Sequence, residues 1–139
     1  MTQLVILDNE AVQALADGSH RHHRRVVSMV QAVVRRKAKG MLGSVVVPTA
    51  VRVEAAIDRT SPSSALFTRF KVVDRPLDTQ LTDIAASLRR DLGTSISVAD
   101  AHVGAVVATS DVGTISIVTS DPDDMRRVTR GRPVEIVRL

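Results

Sequence analysis

The chain reads as an α/β domain with a mostly parallel central sheet of four to five strands flanked by helices. Three observations predict it. Short apolar runs rich in β-branched residues, at 4–7, 45–47 and 115–118, are too short for helices and largely lack polar alternation, as in strands buried on both faces. Segments of helical periodicity separate them, so successive strands are joined by crossovers and not by hairpins. At 139 residues, a single domain spanning 1–139 accommodates the whole pattern.

Taken in order, the first strand at 4–7 ends abruptly at Asp8-Asn9-Glu10, and a helix over 11–16 stops at Asp17-Gly18. A longer helix covers about 22–39, with Val26, Val27, Val30, Val33 and Val34 as its apolar stripe and Gly40 as its cap. The second strand, 45–47, is closed by Pro48, and Thr49 opens a helix to about 59. Ser61-Pro62-Ser63-Ser64 marks a break with a further helical turn after it, and 70–73 reads as a third strand. A helix over 78–91 places Leu81, Ile84, Ala85 and Leu88 on one face. Ser97 starts a nearly uncharged helix to about 109; 115–118 is a strand, 122–129 a helix and 134–137 a short last strand. No repeat, linker or low-complexity tract interrupts this order.

Composition narrows the chemistry. Hydrophobic residues make up 44% and mean hydropathy is +0.08, which fits a packed domain. Aromatic residues are limited to Phe67 and Phe70, so single strands are not bound by base stacking and any nucleic-acid contact goes through phosphates. A net charge of +4 and a pI near 10.6 fit a polyanionic partner. With no cysteine, disulfides, zinc–thiolate sites and thiol nucleophiles are excluded. No apolar run approaches the ~20 residues of a membrane span, and the first residues lack the basic and apolar regions of a signal peptide. A cytoplasmic protein is expected.

The carboxylates carry the sharpest signal. Asp8 and Asp121 each follow a strand, where ligands bind in parallel sheets; either is also a good helix cap, Asp121 with Pro122 behind it. Glu54 shares a helical face with Ala50, Val53 and Ile57, so it is expected to point inward, as a ligand or as a buried partner of an arginine. Asp100 shares a face with Val103, Gly104 and Val107; with Ser97 it also has the spacing of a capping box. Gly104 allows another backbone to approach closely. Asp123 and Asp124 read as helix-start residues more than as ligands. Four segments thus bring a carboxylate towards one end of one sheet, and such a cluster repels itself without a cation. All-oxygen ligands suit Mg²⁺ or Mn²⁺, the apparatus of phosphodiester hydrolysis.

Asp8 after the first strand, Glu54 on a later helix, the VADAHVGAVVA segment around Asp100 and the VTSDPDDM segment together resemble a PIN domain, of the size and layout of VapC-type toxins. The resemblance covers essentially the whole chain, most specifically Asp100-Ala101 followed by Thr119-Ser120-Asp121. It implies a Mg²⁺- or Mn²⁺-dependent endoribonuclease acting on structured RNA, tRNA or rRNA. It also implies a homodimer and a small VapB-like antitoxin whose C-terminal tail blocks the acidic groove. Asp8, Glu54 and Asp100 match the family's three core acids, Asp121 the fourth and more variable one, and Asp124 an acid behind them. Thr119 matches a hydroxyl that orients the acids. After the first aspartate the family usually has Thr or Ser; here Asn9 can still hydrogen-bond, while Glu10 adds charge near the metal.

Two other readings compete. In a haloacid-dehalogenase-like phosphohydrolase, Asp8, Thr49, Lys71 and the SDPDD cluster would be the parts, with Glu10 in the place of that family's second aspartate. In a non-catalytic basic domain that binds RNA or a protein partner, the acids would be caps and buried pairs. His20-Arg21-His22-His23-Arg24-Arg25 opens the long helix, where cations oppose the macrodipole by about 0.3–1 kcal/mol each. Phosphate contact by Arg21, Arg24 and Arg25, or contact with an acidic stretch of antitoxin, explains a cost that a solvated helix start merely tolerates. Arg35, Arg36, Lys37 and Lys39 complement the dipole at the other end. His102 is expected to be a hydrogen-bonded core residue, and Met29, Met41 and Met125 to pack.

Overall fold

In the computed structural model, which describes residues 2–111 and 113–139, the strands of the described residues all pair in parallel. Met1 and Val112 lie outside the described residues. Strands β1 (Gln3–Leu7), β2 (Gly43–Pro48), β3 (Val73–Arg75), β4 (Thr114–Thr119) and β5 (Glu135–Arg138) stand in the order β3-β2-β1-β4-β5. Val5 is in register with Val45 on one side and Ser116 on the other. The crossovers are α1 (Asn9–Ala16) and α2 (His23–Ala38), then α3 (Thr49–Ala55), a 3-10 turn at Pro62–Ser64 and α4 (Ala65–Arg69). Helices α5 (Thr79–Leu92) and α6 (Val98–Ala108) lead into β4, and α7 (Pro122–Thr129) joins β4 to β5.

The chain steps outward from β1 through β2 to β3, then returns on the other side of β1 as β4 and continues to β5. Direction therefore reverses between β1 and β4, and the crevice beyond their carboxyl ends is where this architecture binds ligands. Both strands are buried by their sequence: Ile6 and Leu7 in β1, Ile115, Ile117 and Val118 in β4. Parallel strands covered on both faces require such apolar runs.

Helix α6 is the interior helix. From Ala99 to Val107 its residues are buried, with Asp100 alone partly exposed, the pattern of a helix hydrophobic all round. Its small side chains let α3, α5 and α7 pack against it. At Gly104 a Cβ would stand 2.6 Å from the Val128 carbonyl oxygen and 2.7 Å from Leu88 Cδ1. The helix propensity that glycine forfeits is offset by the close approach of α7.

Two elements differ from the sequence reading, for one physical reason. The helix expected over 49–59 ends at Ala55, and the strand expected at 70–73 begins only at Val73. In both places a non-glycine residue takes the left-handed conformation and ends a helix: Ala56 at φ 56° and Lys71 at φ 54°. Each closes a Schellman motif. The Ile57 N–H donates to Arg52 O at 2.9 Å and that of Ala56 to Val53 O at 3.1 Å; Val72 donates to Phe67 O at 2.9 Å and Lys71 to Thr68 O at 3.1 Å. Glycine is the usual signal for such a stop, and neither place has one. Met41, expected to pack, is 49% exposed.

Gly104→Ala is expected to lower stability by about 1–3 kcal/mol, because the Val128 carbonyl cannot yield without moving α7. Urea denaturation of the two proteins checks this; equal midpoints would show that α6 and α7 have room to separate.

Candidate active site

The acids reach the crevice from separate elements. Asp8 follows β1 directly: its backbone N–H donates to Val118 O at 3.0 Å, extending the ladder one step, and its C=O accepts from Val12 N at 2.9 Å as α1 begins. Its side chain caps nothing and is buried. Thr119, the last residue of β4 and fully buried, donates its hydroxyl to Asp8 Oδ2 at 2.7 Å and accepts from the Asp121 N–H at 2.9 Å. One threonine thus fixes both strand-end aspartates relative to each other.

Asp100 enters from the first turn of α6. Its N–H donates to the Ser97 hydroxyl at 3.0 Å, so the serine half of the capping box is made. Oxygens of Asp100, Asp121 and Asp124 all lie within 4.8 Å of one another, the one such grouping of metal-ligating side chains among the described residues. Asp121 also caps α7, accepting weakly from Asp124 N at 3.5 Å. Asp124 is the helix-start residue expected, in the first turn of α7, and its carboxylate also falls in this trio while pairing with Arg127 at 3.4 Å. The i+3 spacing of a capping box is what turns it back towards Asp121. Asp123 is 90% exposed and pairs only with Arg126.

Glu54 does not sit on an inward stripe. It is exposed, and its helical neighbour Val53 is 80% exposed; α3 is too short to cover that face. The Glu54 carboxylate instead meets the site through Asn9, whose amide donates to Glu54 Oε1 at 2.8 Å. Asn9 in turn accepts from Gln13 Nε2, one helical turn on, a contact that the i, i+4 spacing could have announced. Glu10 is paired with His20, with Oε1 and Nε2 2.9 Å apart. The expected extra charge near the acids is therefore spent on the α1–α2 connection. His102 is fully buried, and its Nδ1 accepts from Ala50 N at 3.3 Å, holding the start of α3. Arg21, Arg24 and Arg25 are exposed, and none forms an ion pair among the described residues.

Charge crowding shows in the protonation equilibria. Burial, then the charges of Asp8, Asp124, Glu54 and Asp121, push the Asp100 carboxyl up from the ordinary 3.8 to about 7. Burial raises Asp8 as well, against the Thr119 hydrogen bond that lowers it. Desolvation and the neighbouring Asp124 carboxyl raise Asp121. The donor set is oxygen throughout, anionic and convergent, which fits a hard divalent cation such as Mg²⁺ or Mn²⁺.

The parts of the phosphohydrolase reading do not assemble. Lys71 lies with Lys37 and Gly43 at the opposite, amino end of the strands. That arrangement would leave Asp8 without its lysine.

The chain matches no known family model, and no curated protein matches it. Solved structures do share its architecture. Over 96% of its length it is similar to 98% of a chain of VapBC2 from Rickettsia felis, solved bound to a DNA fragment from their promoter, with TM-score 0.61 and 11% identity. The fold is PIN-like. The same extent of the chain is similar to 94% of a chain of FitAB bound to the IR36 DNA fragment, at TM-score 0.56 and 15% identity. It is also similar to 96% of a chain of FitAcB from Neisseria gonorrhoeae, at TM-score 0.57 and 14% identity. The first neighbour's name, VapBC2, agrees with the VapC-type layout that the sequence resembles. In this PIN-like fold the sheet order and the switch point between β1 and β4 are what bring Asp8, Thr119 and Asp121 together.

Between its ordinary 3.8 and about 7, Asp100 holds a proton in the folded chain that it has lost in the unfolded one. Stability of the metal-free protein should therefore fall as pH rises through about 7. Thermal melts in EDTA between about pH 5 and pH 8 check this, and Asp100→Asn should flatten the dependence and raise Tm at the alkaline end. A wild-type Tm that rises over this range would contradict the crowding.

Proposed function

We propose that this protein is a Mg²⁺- or Mn²⁺-dependent endoribonuclease, the toxin of a type II toxin–antitoxin pair, acting on structured RNA such as tRNA or rRNA. The convergence of Asp100, Asp121 and Asp124 beside buried Asp8, at the switch point of a PIN-like sheet, is the observation that supports it most. Asp8, Asp100 and Asp121 would hold the metal, with Asp124 close enough to share in it and Glu54 reaching it from α3. When bound, the cation supplies an activated water and neutralises charge on the phosphate.

The remaining work falls to side chains. Glu54, exposed and oriented by the Asn9 amide, accepts a proton from the attacking water as its oxygen joins phosphorus; the bond to the 3′-oxygen breaks, and that oxygen leaves with a proton taken from solvent. The products carry 5′-phosphate and 3′-hydroxyl ends, because the ribose 2′-hydroxyl takes no part. Thr119 keeps Asp8 turned towards the cleft by its hydrogen bond.

A small VapB-like antitoxin is the proposed partner, its tail blocking the acidic groove. A homodimer is supported by the exposed apolar shelf of Val53 and Val98, with Leu77, beside Glu54. No helix among the described residues is long and apolar enough to cross a membrane, and a cytoplasmic location is part of the proposal.

Cleavage of a labelled structured RNA tests the reading. Cutting is expected with Mg²⁺ or Mn²⁺ and not in EDTA; Asp100→Ala should eliminate it and Glu54→Gln slow it by roughly 10²–10⁴-fold. Activity that survives EDTA and leaves cyclic phosphate ends would refute it. RNA binding without any cleavage would favour a purely binding domain.

A further inference from the structure

We propose that the corner between α1 and α2 is a docking surface for the RNA backbone, where Arg21, Arg24 and Arg25 contact phosphates flanking the cleaved bond. The proposal rests on the nuclease reading above and goes beyond it in saying where the substrate lies. The corner is built beside the acids. After α1 the chain folds back: His20 Nε2 lies 2.9 Å from Glu10 Oε1, two residues beyond Asp8, and His23 Nδ1 lies 2.7 Å from Ala14 O. These two contacts hold the start of α2 against α1, and Glu10 belongs to the first turn of α1, next to the cleft.

The arginines are left without an ion-pair partner among the described residues. All three are exposed, and the first turn of α2 contains no acid. They also oppose the macrodipole of a helix whose last turn already carries Arg35, Arg36 and Lys37. A ligand of high negative charge density would relieve both costs.

The choice between RNA and an acidic polypeptide follows from the neighbouring cleft. A polypeptide that blocks a groove lined by Asp8, Asp100 and Asp121 must itself bring cations, which the arginines would repel. A polynucleotide carries its charge continuously, so one strand can pass from the arginines to the acids and meet a cation at each. With Phe67 buried and Phe70 at the far end of β3's approach, the contact is to phosphates and not to stacked bases.

Binding of a short fluorescent RNA hairpin in EDTA, where cleavage is off, tests the surface across a range of salt. In Arg21→Ala/Arg24→Ala/Arg25→Ala, affinity should fall by roughly tenfold or more at low salt, and the slope of log K against log salt should become shallower by about 2. Arg35→Ala/Lys37→Ala/Lys39→Ala removes the same charge from the other end of α2 and should change the slope by less than about 1. Equal losses from the two triples, or hairpin binding that is unchanged while binding of a polyglutamate peptide is lost, would overturn the proposal. A hairpin bound through the arginines but never cut with Mn²⁺ would refute the nuclease reading and leave the docking surface standing. Cleavage by a protein whose arginine triple binds the hairpin normally would do the reverse.

Discussion

Like-charged carboxylates gathered at the end of a parallel sheet repel one another, and this repulsion is the constraint on which the rest of the site depends. Oxygens of Asp100, Asp121 and Asp124 lie within 4.8 Å of one another, with Asp8 buried alongside. The fold holds them there through their backbone N–H groups: that of Asp8 donates to the Val118 carbonyl and that of Asp121 to the Thr119 hydroxyl. Asp100 is fixed at the start of a buried helix that cannot shift, because Gly104 lies against the Val128 carbonyl. Stability is spent on a geometry that becomes favourable once a cation enters.

Around this centre, polar side chains divide the work. Thr119 touches one acid with its hydroxyl and accepts from the amide of another. Asn9, standing where the PIN family usually has Thr or Ser, reaches Glu54 with an amide long enough to span to α3. Glu10, the other departure, ties down the loop that presents the arginines. The two residues after Asp8 thus make different contacts, Asn9 with α3 and Glu10 with the α1–α2 connection, and each is explained by a contact made in the chain.

Much of this was legible in the sequence because it is local. Apolar runs marked β1, β2 and β4; the carboxylates after β1 and β4, Asp8 and Asp121, marked the carboxyl edge; Ser97 and Pro122 marked helix starts. What was not legible depended on conformations that the residue type does not announce. Ala56 and Lys71 adopt left-handed backbone without glycine, and so α3 ended early, Glu54 faced solvent, and β3 began three residues late. Asp124 looked like a helix-start residue because it is one; that its carboxylate also meets Asp100 depends on the packing of α6 against α7, elements separated by a whole strand. Gln13 was missed because its partner, Asn9, gains its role only once α3 is in place.

Calorimetric titration of the metal-free protein with Mn²⁺, repeated in buffers of different ionisation heat, tests most directly whether these crowded acids form a metal site. Asp100 holds its proton up to about pH 7, so binding near neutrality should release a proton from it. The release should fade towards about pH 9 and disappear in Asp100→Asn, together with most of the affinity. Mn²⁺ binding that releases no proton near neutrality, or that is unaffected by Asp100→Asn, would contradict the assignment of this cluster as the metal centre.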